Sequence, residues 1–142
     1  MSLRSVLGEM RGACDLGLYL ANHLPSALPS ALAGRVRPRL LRVLAGVPVG
    51  DETFLPARLE MIATRDARRN LRFGSRCFVN ASVYFDANAP ITIGDDVFVG
   101  HHTKIITSGH EIGPPNRRAG TVTARPITLG NGVWIAARMS SP

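Results

Sequence analysis

Lysine is almost missing from this chain: Lys104 is its single representative among 17 basic residues, the rest being arginine. The formal charge of +7 favours acidic partners, such as phosphate groups or an anionic membrane surface. Aromatic residues reach only 6%, and the arginines are spread over the whole chain. With no helix-turn-helix, zinc-finger or RNP-like spacing, a surface that reads nucleic acid has no visible basis. Cysteine is scarce too. Cys14 and Cys77 stand apart, with no CxxC pair and no framework able to staple a secreted domain, so free thiols in a reducing compartment are expected. No apolar run is long enough to span a bilayer. Glu9, Arg11 and Asp15 interrupt "MSLRSVLGEMRGACDLGLYL" before it can form the apolar core of a signal peptide, which makes the cytoplasm the expected location. What is present is a hydrophobic content of 45% in 142 residues, enough for one folded unit.

The chain has two periods. Leu3, Leu7, Met10, Cys14, Leu18, Ala21 and Leu24 recur at steps of three and four, which predicts an amphipathic helix ending near Pro25. A second, short helix is expected to open around Pro38 and to carry Leu40, Leu41, Val43 and Leu44, with "LPSALPSALAG" as the hinge. Arg35, Arg37, Arg39 and Arg42 on this segment read as the solvated face of a capping helix, with peripheral contact to an anionic membrane as the alternative.

From Val49 the period is six: Val49, Leu55, Met61, Ala67, Phe73, Val79 and Phe85, then a slip of two residues, then Ile93, Val99 and Ile105, and after an interruption Leu129 and Ile135. Four positions beyond each lies a small or apolar residue, Arg65 excepted. Gly50, Gly74, Gly94, Gly100 and Gly130 follow the leading residue of their hexads. Hexads of this kind, with glycine or other turn formers at the corners, predict a parallel β-helix in which three hexads make one triangular rung. Such a prism cannot bury its own ends, so the helical segment 1–46 is expected to cap a coil over 47–142. The interruption "IITSGHEIGPPNRRAG" then becomes a loop excursion over 111–126 that leaves His110 exposed at its root.

"ITIGDDVFVGHHTKIITSGHEIGPPNRRAGTVTARPITLGNGVWIAAR" resembles the hexapeptide-repeat O-acetyltransferases of the maltose and galactoside type, and still more those that acetylate capsule, exopolysaccharide or Nod-factor sugars. The similarity runs from about residue 47 to 138 and rests on "IGDDVFVG", on "SGH" followed by a long loop, and on "ITLGNGVWIA" at re-entry. The resemblance implies that the coil is a left-handed parallel β-helix; with the N-terminal α-helical segment read from the periodicity, which the family matches only loosely, the expected fold is mainly β. It also implies a homotrimer with active sites in the grooves between prisms and acetyl-CoA as donor; no metal is expected, on the separate ground of the spacing of His101 and His102. His110 falls on the family's catalytic histidine and Asn80 in "FVNAS" on an active-site asparagine. Trp134 in "GVWIA" falls on the tryptophan beside the pantetheine arm, and Asp86 corresponds to a carboxylate that contacts the acceptor.

The chemistry suits these residue types. A sugar hydroxyl attacks a thioester only when a base takes its proton, and a neutral imidazole can do so near pH 7. The amide of Asn80 or a backbone N–H could donate to the developing oxyanion. Arg117 and Arg118 could meet phosphates of CoA or an acidic polysaccharide, although loop arginines are ordinarily solvated. His101 and His102 with His110 raise a zinc site, which adjacent histidines in an extended strand would disfavour by facing opposite ways. Relatives of this type carry further coils after "VWIA", so the sequence also reads as C-terminally truncated, with its last coils missing. The alternative function is accordingly a catalytically incompetent β-helical protein with an assembly or binding role.

Overall fold

The computed structural model describes residues 15–62 and 67–137. Leu3, Leu7, Met10 and Cys14 of the expected first helix, Arg65, and Met139 of the last hexad lie outside the described residues.

The helices come first. α1 spans Leu16–His23, and the Asp15 carboxylate caps it by accepting from the Leu18 N–H at 3.0 Å. A 3₁₀ turn, Leu24–Ala27, follows with Pro25 near its start. It carries Leu24 out to solvent, off the face that buries Leu18 and Ala21. α2 spans Ser30–Leu44, so it begins well before Pro38, where the sequence suggested its start. Pro29 supplies the first acceptor, its carbonyl taking the N–H groups of Leu32 and Ala33. Pro38 therefore sits inside the helix, where it cannot donate to the Gly34 carbonyl one turn back. That carbonyl accepts instead from the Leu55 N–H at 3.0 Å, in the first coil. The proline thus releases an acceptor that ties the helix to the coil. Gly34 permits the approach, because a Cβ there would collide with the Phe54 ring.

Beyond the helices the protein is mainly β. β1 is Glu60–Ile62, β2 Leu71–Phe73, β3 Phe78–Val79, β4 Tyr84–Asp86, β5 Ile91–Ile93, β6 Phe98–Val99 and β7 Lys104–Ile106. β8 is Ser108–Ile112, β9 Ala119–Ala124, β10 Ile127–Leu129 and β11 Trp134–Ile135. All but β8 and β9 pair in parallel, and the chain visits three ladders in turn: β2–β5–β10, then β3–β6–β11, then β1–β4–β7. Register stacks like on like, Phe73 beside Ile93 beside Leu129, Val79 beside Val99 beside Ile135, and Met61 beside Phe85 beside Ile105. Bridges from Val49 to Phe73 and from Phe54 to Phe78 extend two ladders downward. Val49, Leu55, Phe73, Val79, Phe85, Ile93, Val99 and Ile105 are all buried, each fully buried side chain contributing about 2 kcal/mol.

The expected rhythm fails at Ala67, which opens a single helical turn, α3, Ala67–Asn70, and forms no part of a ladder. The inward position therefore advances by twelve, from Met61 to Phe73, with no ladder strand at Ala67. Elsewhere the inward residues advance by six, except from Phe85 to Ile93 and from Ile105 to Leu129. All three departures fall at the same corner, where the third ladder leads back to the first.

Gly50, Gly74 and Gly94 act by closeness, whereas Gly132, with φ 72°, supplies a left-handed corner. The non-glycine left-handed corner residues are Glu52, Arg76, Ser82, Asp96 and His102, with φ between 55° and 59°. Gly50, Gly74 and Gly94 precede those corners, and a Cβ on any of them would strike the corner of the next rung. Arg76 and Asp96 stack one above the other as a doubly bonded ion pair, with both N–O distances 2.7 Å. The guanidinium's hydrogen bonds hold the Asp96 carboxyl below its ordinary range.

Two buried polar side chains fasten the helices to the coil. Asn22 exchanges both amide groups with the Leu59 backbone, donating at 2.8 Å and accepting at 2.9 Å. Arg37 is fully buried, and it donates to the carbonyls of Asn22 and Leu55 and to the Ser26 hydroxyl. The arginine row therefore has no common solvated face: Arg35, Arg39 and Arg42 are exposed, whereas Arg37 lies inside. Burial presses its pKa below the ordinary value, while the carbonyl end of α1 offers partial negative charge in compensation. Arg37→Met keeps the stem and removes the donors. It is expected to cost about 2–3 kcal/mol, read as a lower denaturation midpoint in urea, with Arg35→Met as a near-silent control.

Candidate active site

The interruption of the repeat is an antiparallel ribbon rather than a loop. β8 and β9 pair Ser108 with Ala124, Gly109 with Thr123 and His110 with Val122, and a bulge precedes the pairing of Ile112 with Ala119. Alternation explains the strands: small, β-branched and polar residues on both sides suit a ribbon exposed on two faces. The tip is a tight turn in which the Arg117 N–H donates to the Pro114 carbonyl at 2.9 Å and the Gly113 N–H donates to the Arg118 carbonyl at 3.0 Å. Arg117 and Arg118 are exposed at this tip.

His110 lies within β8, on solvent-exposed backbone. Its Nδ1 is 3.0 Å from the Gly120 carbonyl across the ribbon. A carbonyl can only accept, so this contact requires Nδ1–H, and the neutral ring then carries its lone pair on Nε2. The ring is held by one nitrogen and offers the other to solvent.

Asp86 ends β4 at the same corner. It is buried, and its Oδ1 accepts from the Asn88 amide at 2.7 Å and from the Ser108 hydroxyl at 3.0 Å. Asp86, His110, Arg117 and Arg118 therefore share the corner between the third and first ladders. Asn80 and Trp134 belong elsewhere. Asn80 follows β3 at the corner between the second and third ladders, occupying in its hexad the position that Gly74 and Gly100 hold in theirs. Its Oδ1 accepts from the Ala81 N–H at 2.9 Å, and its Nδ2 makes no hydrogen bond among the described residues. Trp134 stands beside Phe98 in register on the outer face of the second ladder and is 73% exposed. Phe98 stacks on Phe78 with centroids 4.9 Å apart, and Phe78 packs on Phe54 at 5.3 Å. Trp134 thus crowns an aromatic column. Within one chain no hydrogen bond joins the Asn80 group to the His110 group among the described residues.

His101 and His102 occupy a turn rather than an extended strand, with His102 in the left-handed conformation. Both are exposed, and among the described residues no cluster of His, Cys, Asp or Glu forms a metal cage. Sequence reasoning missed Asn88, Thr107 and Ser108, which hold the root of the ribbon. The two-residue slip between Phe85 and Ile93 was the signal that could have drawn attention to them.

The hydrogen bond at His110 has a direct readout. Nitrogen-detected NMR of the chain above pH 8 is expected to show the neutral His110 ring protonated at Nδ1, against the Nε2–H form that a freely exposed histidine favours.

No family model matches the chain. Over 66 residues it is 42% identical to the sophorolipid acetyltransferase of Starmerella bombicola, covering 46% of this chain and 26% of that protein. Over another 66-residue match it is 33% identical to nodulation protein L of Rhizobium leguminosarum bv. viciae, covering 46% of this chain and 35% of the relative. It is 29% identical over 70 residues to galactoside O-acetyltransferase of Escherichia coli K12, covering 49% of this chain and 34% of that enzyme. The chain thus spans well under two thirds of each of these relatives. What it shares is sequence similarity with several proteins named as acetyltransferases.

Proposed function

We propose that the chain is an O-acetyltransferase that moves an acetyl group from acetyl-CoA to a hydroxyl of a sugar or polysaccharide, with His110 as general base. The observation that carries this reading is the His110 ring, anchored through Nδ1 to Gly120 and free at Nε2. The names of the sophorolipid and galactoside relatives support the acyl-transfer class.

In this mechanism Nε2 takes the acceptor's hydroxyl proton as its oxygen attacks the thioester carbonyl. The unpaired Nδ2–H of Asn80 donates to the oxyanion of the tetrahedral intermediate. Collapse breaks the carbon–sulfur bond, and the imidazolium returns its proton to the departing thiolate. Histidine ends as it began, and no acyl-enzyme forms. Trp134 would lie along the apolar arm of the donor. Arg117 and Arg118, at the tip of the ribbon, would meet the donor's phosphates or an acidic acceptor.

The separation of Asn80 from His110 on two edges of the coil supports a site shared between chains. In a three-fold homotrimer of left-handed β-helices, capped by the segment 1–46, the ribbon of one chain would meet the Asn80 edge of the next. This arrangement is in keeping with a cytoplasmic enzyme drawing on soluble acetyl-CoA.

His110→Ala is expected to lower kcat about a thousandfold with little change in thermal stability, measured with acetyl-CoA and a panel of sugar acceptors. Asn80→Ala should behave similarly. Refolding the two inactive variants together is expected to restore about a quarter of wild-type activity, the share of symmetric interfaces that pair an intact His110 with an intact Asn80. Failure to recover activity would place both residues in one chain's site or refute the shared site.

A further inference from the structure

The ribbon is clasped at its root by a closed ring of side chains. The Asp86 Oδ1 accepts from the Ser108 hydroxyl at 3.0 Å, from the Asn88 Nδ2 at 2.7 Å and from the Asn88 backbone N–H at 3.2 Å. The same Asn88 amide reaches the Ser108 Oγ at 2.7 Å, closing the ring. Thr107 adds a second fastening. Its backbone N–H and its hydroxyl donate to the Asp86 carbonyl at 3.2 and 2.6 Å, and its Oγ1 accepts from the Ala89 N–H at 3.1 Å. The Thr107 carbonyl in turn accepts the Arg125 N–H at 3.0 Å, so both legs of the ribbon meet at this point.

We infer that Asp86, Asn88 and Ser108 are positioning residues that set the angle at which the ribbon leaves the coil, and with it the location of the His110 imidazole. This inference rests on the proposed role of His110. Three observations carry it. Among the described residues no hydrogen bond ties 109–124 to the coil, and Ile112 is 88% exposed and Val122 61% exposed. Its direction must then come from the root. Second, the root is where burial resumes, with Thr107 and Asp86 both enclosed, and the part-buried bonds that the Asp86 carboxylate accepts from Asn88 and Ser108 are charge-assisted and directional. Third, the residues on the coil side of the clasp lie in the two-residue slip, which the packing of the coil alone does not require. On this account Asp86 acts through the ribbon, with its Oδ1 committed to three donors at the root.

The test is a set of variants in the full chain. Ser108→Ala is expected to lower kcat about tenfold, leaving both KM values and the thermal midpoint near wild type, and Ser108→Thr is expected to restore it by returning the hydroxyl. Backbone amides of 109–112 and 120–124 should exchange with deuterium about tenfold faster in Ser108→Ala than in the parent. Wild-type exchange and kcat in Ser108→Ala would overturn the clasp. So would an increase in acceptor KM in Asp86→Ala with Ser108→Ala silent, since Asp86 would then touch the acceptor directly. If His110→Ala keeps full activity, the base assignment fails on its own, while the exchange experiment still decides whether the clasp orients the ribbon.

Discussion

The structure depends on one constraint: each rung must lie flat on the one below, with every inward side chain above its counterpart. Parallel pairing imposes it, because the N–H of one rung reaches the carbonyl of the residue just before its register partner on the next. The bonds from Phe78 to Val97, Asn80 to Val99 and Tyr84 to Thr103 repeat that offset around the coil. Rungs at strand spacing leave no room for a Cβ at the tight points. Glycine at 50, 74 and 94 is therefore required by the backbone of the neighbouring rung. Residues such as Arg76 and Asp96 can tolerate a left-handed corner because their side chains project outward and pair with each other.

A coil so constrained can admit extra residues only where they leave its surface, and this one admits them at a single corner. The surplus after Met61 becomes the turn of α3, that after Phe85 becomes the slip, and that after Ile105 becomes the ribbon. The three are joined vertically. Asn70 donates to the Ala87 carbonyl at 2.9 Å, and Asp86 with Asn88 takes hold of Ser108 above. Irregularity is thus concentrated into a column while the other two corners stay uniform. Among the described residues of the coil only that column offers a backbone free of the hexad register, and there His110 is held by a bond to its own ribbon instead of by the core.

How legible this was in the sequence follows from the range of the interactions. Val49, Leu55, Phe73, Val79, Phe85, Ile93, Val99 and Ile105 were legible because a period of six leaves an apolar mark at every turn. Ala67 fitted the same mark by composition alone. Alanine is equally at home in a helical turn, and the count could not see that its neighbours leave the coil. Pro38 misled for a related reason: a proline near the start of a helix and one inside it look identical until the coil supplies the Leu55 N–H for the stranded carbonyl. Arg37 was invisible as a core residue because nothing local distinguishes it from Arg35 or Arg39. At the site, the break at His110 was plain, but its ribbon form was not, since Pro114 and Pro115 drew attention to the turn and away from the strands on either side. The clasp joins Ser108 to Asn88 and Asp86, 20 and 22 residues away, and its one mark on the period is the two-residue slip between Phe85 and Ile93.

The same geometry explains why the candidate residues divide into two groups. Side chains on different edges of a rigid prism cannot converge, however the loops between them are drawn. Trp134 and Asn80 are fixed by ladder and corner to one edge, and His110 reaches outward from another on a ribbon whose far half is exposed among the described residues. Ile112 and Val122 present apolar surface along that ribbon, as Phe98 and Trp134 do on the aromatic column. Apolar surface exposed on both elements is what two neighbouring chains would each need in order to bury the other's. Burial of the ribbon and completion of the site would then be one event, which links assembly to activity more closely than a site within a single prism could.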